Sequence, residues 1–480
     1  MDAGRLFKEA GFGPVPEERW RALAEKALGG KAFDATLVSR TDDGIRINPI
    51  EPASPHAEPR GRVDATRPWS ITQRIDDPDP QRANRQARDD VANGATGLAV
   101  VFAGAPNSFG FGLPASPDAL AAALDGIPLD EVYLRIDPHP ASRASADWLL
   151  ALLTTRRGDP SKLRLSFGID PSAIFGGTGR LRMSIEALHA SLPQSLAHFF
   201  AMGVPGVLLE GDGRVFHNAG ATEAQELGIA LATVVSHLRM FESARQALVY
   251  AAPHIGFSLS VDQDQFLSMA KVRALRRLWT RAQEACGIPA SPGMIHAETS
   301  WRMVTARDPE TNILRSTVAA FAAATGGADS VSLLPHSIAL GLPEEFARRV
   351  ARNTQLIIAG ESHLDFVADP AAGSGSIEAL TEALCEAAWK EFQTIDAEGG
   401  ALKSLADGRI QARILAAREA RAADLREGRK SIVGTTLYPL AKERQIEVYA
   451  DSRKTFAEDT AVTCESLPPV RLDEMLGASA

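Results

Sequence analysis

The chain has 480 residues, a net charge of −9, an apolar share of 45% and three cysteines. That length suits a barrel of roughly 250 to 400 residues with extensions, and the apolar share suits a substantial core. The negative balance argues against nucleic acid, whose phosphates need clustered Lys and Arg, and no run approaches about 18 uninterrupted apolar residues, so no membrane span is expected.

The opening MDAGRLFKEAGFG lacks the apolar core of a signal peptide. Cys286, Cys385 and Cys464 are too far apart for a CxxC site and offer no disulfide framework. Both features fit a cytoplasmic protein. Residues 1–65 hold one helical piece, Pro16 to Leu28, and then a charged segment broken by Pro49, Pro52, Pro55 and Pro59. Such a segment buries little by itself, so it is either disordered or laid across another surface.

From Gly97 onward strand-like runs alternate with amphipathic helices. The strand patterns fall at 98–103, 131–136, 163–168, 206–210, 256–261, 294–299, 330–334 and 363–367. Helical patterns fall at 141–156, 185–202, 222–247, 263–285, 309–325, 343–358 and 376–395. Strand alternating with helix predicts an α/β protein closed as a (β/α)₈ TIM barrel, with an N-terminal arm and a C-terminal helical extension. An open doubly wound sheet is the alternative, but no glycine-rich phosphate turn follows any strand.

The stretch from Gly293 to Gln355 is the most informative. Its strand, Met294 to Thr299, presents His296 and Glu298 from one face. Asp308-Pro309 is expected to cap and open a helix that Gly326-Gly327 closes, and Leu342-Pro343 to open the next. Here the sequence reads His296, Thr299-Ser300-Trp301, Asp308-Pro309, Asn312 and Arg315. Further on come Leu342-Pro343, Phe346, Arg349 and Ala351-Arg352-Asn353-Thr354-Gln355. In that order these residues resemble the barrel domain of the adenosylcobalamin-dependent acyl-CoA mutases, methylmalonyl-CoA mutase above all. Weaker echoes run from Arg67-Pro68-Trp69 to Pro439.

The departures from that family pattern matter as much. Active subunits carry a glycine between the Ser and the Trp, and Gln where Glu298 stands. They carry a tyrosine in the loop after the run at 98–103, where this chain has Phe109 and Phe111. Their catalytic histidine lies four residues before an A-G-A run; that count back from Ala219-Gly220-Ala221 lands on Val215, with His217 two positions too close. The family's glutamine-bearing loop reads Ile169-Asp170-Pro171-Ser172-Ala173 here, followed by Phe175-Gly176-Gly177-Thr178-Gly179, expected to be a flexible turn. Asp137-Pro138-His139 echoes the cobalt-ligating D-x-H-x-x-G motif, but Ser142 replaces its glycine and the context is a barrel loop, so no cobalt ligand is expected.

The remaining site candidates are a vestigial pocket of His296, Glu298 and His217, with His336 and Asp369 as possible neighbours. Glu298 could serve as an acid or base if desolvation raised its pKa; a hydrogen-bonded pair without chemical work is the plainer reading. Bulky Phe102, Tyr133, Leu134, Leu208, Leu209, Leu333 and Leu334 are expected to fill the barrel interior, which active mutases line with small polar residues for the CoA arm. Residues 397–480 are expected to be a charged helix and then a linker, LPPVRLDEMLGASA, ending where the family's cobalamin domain would begin.

The resemblance therefore implies a small, non-catalytic subunit of a heterodimeric mutase. A large partner would bring adenosylcobalamin and the missing tyrosine and histidine. This chain alone would hold no cofactor or metal. Domains are expected at 1–66 (an arm that, by the resemblance, wraps the partner subunit), 67–396 (barrel) and 397–480 (helical extension and truncated linker). Two alternatives stand beside it: the barrel of another acyl-CoA mutase completed by a separate cobalamin subunit, and an unrelated barrel lyase or hydrolase using His296 and Glu298.

Overall fold

The computed structural model describes residues 15–450 and 460–477; the opening MDAGRLFKEAGFG and the last three residues lie outside them. Eight parallel strands close a ring: β1 Ser70–Ile75, β2 Gly97–Val100, β3 Tyr133–Ile136, β4 Arg164–Ile169, β5 Val207–Asp212, β6 Ile255–Val261, β7 Met294–Thr299 and β8 Ser330–Ser332. Ser330 beside Ser70 and Ser332 beside Thr72 join the last strand to the first. The helices packed outside are α1 Pro80–Ala92, α2 Pro117–Ala123, α3 Ser142–Thr155, α4 Ile185–Ala201, α5 Glu223–Ser243, α6 Gln265–Ala285, α7 Thr311–Gly326 and α8 Glu345–Gly360. Beyond them come α9 Gly375–Ala397 and α10 Arg409–Arg426.

The barrel expectation holds, but its strand count began one unit late. The first strand is SITQRI at 70–75. It escapes an apolar-run search because its inner face carries Ser70, Thr72 and Arg74 and its outer face includes Gln73, bonded to Asp90 and to the Arg348 carbonyl. The run at 363–367 is not a strand. It is a series of turns that leaves Phe366 75% and Val367 55% exposed, so its apolar residues meet no core.

Two helix starts also differ from expectation. Asp308 does not cap α7: it sits at φ 45° in a preceding turn, where its carboxylate accepts from the Thr311 hydroxyl, and the helix begins at Thr311. Leu342-Pro343 forms a short strand paired with residues 448–450, and Glu344 caps α8 by accepting from the amides of Phe346 and Ala347. Gly327 does end α7, in the left-handed conformation. The glycine-rich 175–179 is not a flexible turn either. Pro171–Thr178 is a helix capped by Asp170, and an added Cβ at Gly176 or Gly177 would lie 2.6 Å from Phe216 or Pro106.

Several residues that carry the family resemblance hold the ring shut. The Trp69 indole donates to Gln355 Oε1 at 3.1 Å, and Arg352 pairs with Asp90 at 2.8 Å, tying the first unit to the last. Asn312 bonds the carbonyls of Thr305 and His336 across the mouth of β7 and β8.

The segment from residue 38 onward lies on its own barrel. A hairpin, Ser39–Arg40 with Arg46–Ile47, docks through Asp42 on Arg421 (2.8 Å) and through Asp43, which accepts from the Ala224 amide at the start of α5 (3.2 Å). Farther along, Arg60 pairs with Glu378 at 3.0 Å and the Val63 amide reaches Asp329 at 2.6 Å. The preceding helices, Glu17–Leu28 and Phe33–Leu37, bury none of their described residues.

Candidate functional site

Side chains that sit side by side in a parallel ladder share a face. His296 lies between Ser258 and Ser330, and Glu298 between Ser260 and Ser332, so these positions line the lumen with Thr72 and Ser166. The bulky residues expected there are elsewhere. Phe102 meets Trp148 of α3 edge-on, Leu134 points outward between inward-facing Tyr133 and Arg135, and the four other leucines belong to the barrel–helix core. Of the seven, Tyr133 faces inward, where an added Cβ at Gly97 would touch its ring. The lining is small and polar. It is nonetheless closed, because Thr72, Ser166, Ser258, Ser260, Ser330 and Ser332 are each at most 1% exposed.

What closes the C-terminal end is charge. Arg74 of β1 reaches Asp76 (3.0 Å) and Glu298 (2.7 Å). Glu298 also meets Arg214 (3.2 Å), which bonds Asp212 (2.6 Å) and Asp137 (3.0 Å). Asp137 pairs with Arg135 (2.8 Å), whose other face forks onto both oxygens of Glu210 at 2.5 and 2.7 Å. This web joins β1, β7, β5 and β3 across the lumen, and these side chains are at most 3% exposed. With Arg348 on Asp76 (2.7 Å), four guanidiniums face five carboxylates.

The electrostatics follow from burial set against those partners. Burial opposes the charge on Asp76, yet Arg348 and Arg74 hold it down at about 2. Burial likewise opposes Asp137, and Arg214 and Arg135 keep its pKa well below the usual range. Asp212 is pushed up to about 6 by burial, only partly offset by Arg214, so its proton can absorb the imbalance of charge. Asp170, beside it, is driven by burial to about 8 although three backbone amides donate to it.

Sequence reasoning named Glu298 but missed Arg74, Arg135 and Arg214. The signal was present. A charged residue inside VYLRI or SITQRI cannot sit in a buried parallel strand unless it is paired. Glu298 is thus an ion-web node and not a free acid. His296 turns away from it, to Ser330 Oγ at 2.9 Å, and among the described residues its Nε2 meets no hydrogen-bond partner. Burial, with Arg135 and Arg214 nearby, holds its pKa well below the ordinary value.

His336 and Asp369 do not join this cluster. His336 packs against the Phe346 ring, and Asp369 pairs with Arg273 on the outer side of the barrel. His139 is occupied at both nitrogens: Nε2 donates to the Ala103 carbonyl at 2.9 Å and Nδ1 accepts from the Ala141 amide at 3.0 Å. Burial lowers it to about 4, so it is a neutral structural histidine.

His217 lies in a second buried group. Glu226 can only accept, so Nδ1 donates to it at 3.0 Å and Nε2 accepts from the Ser300 hydroxyl at 2.9 Å. The order Ser–His–Glu is that of a hydrolase triad. Here, however, Ser300 is completely buried, the next amide, Trp301 N–H, is taken by Asn218 Oδ1 at 3.1 Å, and Lys271 neutralises Glu226 at 2.6 Å. A substrate has no way in. His217, Glu223 and Asp262 also bring possible metal ligands within 4.8 Å of one another. Arg302 already bridges both carboxylates, at 3.0 and 3.3 Å, so a dication there would face a guanidinium.

Above the web lies a stacked column. Phe109, at φ 51°, lies parallel to Trp301 with ring centroids 4.4 Å apart. Arg74 sits 5.4 Å from the Phe109 centroid, and Arg471 lies 5.4 Å from that of Trp301. Arg471 comes from the C-terminal segment, which crosses the mouth. Its amides at Ala461, Cys464, Leu467, Val470 and Leu472 donate to carbonyls of Leu181, Gly179, Gly176, Asn218 and Arg302. The segment thus covers this face, and both ring nitrogens of His139 below it are already bonded.

Fold and site together define a (β/α)₈ barrel whose catalytic end is plugged by ion pairs and overlaid by its own chain. The family model for methylmalonyl-CoA mutase matches residues 58–471, and this chain belongs to that family. The methylmalonyl-CoA mutase small subunit of Streptomyces virginiae is 36% identical over 464 residues, 92% of this chain and 73% of that protein. The small subunit from Propionibacterium freudenreichii subsp. shermanii is 32% identical over 472 residues, 91% of this chain and 70% of that one. The probable small subunit of Mycobacterium tuberculosis (strain ATCC 25618 / H37Rv) is 38% identical over 335 residues, 68% of this chain and 52% of that protein. The chain therefore spans about half to three quarters of the length of these relatives.

Proposed function

We propose that this chain is the non-catalytic small subunit of a heterodimeric methylmalonyl-CoA mutase. The assembled enzyme interconverts (R)-methylmalonyl-CoA and succinyl-CoA, with adenosylcobalamin held by the large subunit. The observation that carries this reading is the ion web: the catalytic end of the barrel is filled by Arg74, Arg135, Arg214 and their carboxylates, leaving no room for an acyl group. Phe109 stands where the family pattern has a tyrosine, and Val215 where it has a histidine. The barrel's part is then to present a rigid surface to its partner, which stabilises whichever folded state it binds. The helices at Glu17–Leu28 and Phe33–Leu37 are the part of the arm that would reach the partner, because their apolar residues find no cover on this barrel. A cytoplasmic location fits the three free cysteines, and among the described residues no helix is long and apolar enough to cross a membrane.

The test is turnover of the purified chain with adenosylcobalamin and methylmalonyl-CoA. The expected result is no succinyl-CoA without the large subunit, and active enzyme with it. Succinyl-CoA made by the isolated chain and lost on His217→Ala or His296→Ala would move the chemistry into this barrel.

One observation favours a second reading, the barrel of another acyl-CoA mutase completed by a separate cobalamin subunit. The lumen keeps a serine- and threonine-rich lining beneath the web. Calorimetry of the isolated chain with acyl-CoA esters separates the two: the first reading expects no heat of binding, the second a saturable one.

A further inference from the structure

We propose that residues 460–477 form an intrachain lid that holds the barrel mouth shut and opens as one unit without unfolding the barrel. Four features of the segment carry this. Its five backbone bonds, 2.8 to 2.9 Å long, go to three stretches of the rim: three to Gly176, Gly179 and Leu181, one to Asn218 in the short helix Arg214–Ala219 after β5, and one to Arg302 in the turn after β7. The segment is thus tied to three stretches far apart in sequence, residues 176–181, Asn218 and Arg302, which couples its release from one to its release from the others.

The segment is also only lightly rooted in the main core. Leu467 enters it and the partly buried Val462 and Cys464 pack against it, but Val470 and Met475 belong to a separate small cluster with Ala422, Leu425 and Ile432. Elements held by few buried apolar contacts open at a lower free energy than the whole molecule does.

The charge that faces the barrel is balanced within the segment. Arg471 lies over Trp301 but pairs with Asp473 at 3.0 Å and Glu474 at 2.8 Å, both its own near neighbours. Lifting the segment therefore leaves no buried charge behind on either side, the penalty that would otherwise lock it down.

What it covers is the face where barrel enzymes take up substrate and cofactor. Beneath it, Trp301 and Phe109 shield Arg74 and the web from water. This inference stands apart from the assignment as a silent subunit: a chain that turned over substrate by itself could still carry the lid.

Hydrogen exchange on the full-length chain tests it without mutation. The amides of Ala461, Cys464, Leu467, Val470 and Leu472 are expected to share one protection factor, lower than that of the strand amides of β6 and β7. Arg471→Ala removes the guanidinium from the Trp301 face and is expected to lower all five together by roughly 3- to 30-fold, while strand protection stays unchanged. Acrylamide quenching attributable to Trp301, isolated by comparison with Trp301→Phe, should rise in parallel. Exchange of the five only with global unfolding, at unrelated rates, or with Arg471→Ala acting on Leu472 alone would overturn the lid.

Discussion

Arg214 and Glu298 show how paired charges can fill a barrel lumen. Each bonds two or more partners in a lumen sealed from water, so each holds a neighbour's charge in place. Glu298→Ala is expected to strand Arg74 and Arg214 without their shared carboxylate and to cost about 3–5 kcal/mol of stability, read from denaturant unfolding. Turnover of the assembled enzyme, measured under conditions where the complex is intact, should stay within a few-fold. Phe109 belongs to the same logic. Its left-handed backbone is a strained conformation held by the Trp301 stack and by Arg74, whose guanidinium donates to the Asn107 carbonyl at 2.7 Å.

Among the elements, the helix Pro171–Thr178 packs closely on its neighbours. Gly177 lets it sit against Pro106 and Val215, where a Cβ would come within 2.6 and 3.0 Å. Gly177→Ala is expected to destabilise by about 1–3 kcal/mol through overpacking, seen as a lower thermal midpoint, with no effect on anion binding because no phosphate cradle exists there. The hairpin and extended segment at 39–63 are the second case. Deleting residues 1–60 takes Asp43 from the Ala224 amide, strips Asp42 from Arg421 and frees Glu378 from Arg60. The truncated barrel is therefore expected to melt earlier even without a partner. An unchanged midpoint by circular dichroism would show that these contacts contribute nothing.

For the whole molecule, buried histidines set the acid limb of stability. His139 and His237 are lowered to about 4 by burial, and burial also holds His217 and His296 well below the ordinary value. Their folded-state pKa values lie below the unfolded value near 6.5, so between about pH 6.5 and 4 the unfolded chain binds protons that the folded chain refuses. Stability is complete above that window and falls through it, by up to about 1.4 kcal/mol per pH unit for each histidine. Asp170 runs the opposite way. Its pKa is raised to about 8, so the stability it lends is full at low pH and is lost as pH rises toward 8. Denaturant unfolding across pH 4 to 8 should show the first slope reduced in His139→Gln and the second reduced in Asp170→Asn.

By itself, the sequence determined the barrel and the family. Period-two and helical patterns recur along the chain whatever their neighbours are, and the run from His296 to Gln355 carries the family pattern itself, with Asn312 and Gln355 at counted positions. It also determined the departures at Phe109 and Val215, which are matters of identity at a counted position. What a lumen contains is another kind of question. Apolar residues in a barrel strand read alike whether they face helices or axis, so Leu134 looked like filler, while Arg135 beside it, the true filler, was missed. Its partners Asp137 and Glu210 lie 2 and 75 residues away, and only closure of the ring brings Glu210 within 2.5 Å. Strand β1 and the lid were hidden for the same reason. Neither shows an apolar period, because their stability comes from long-range pairing that local patterning does not record, and the tertiary structure alone decided it.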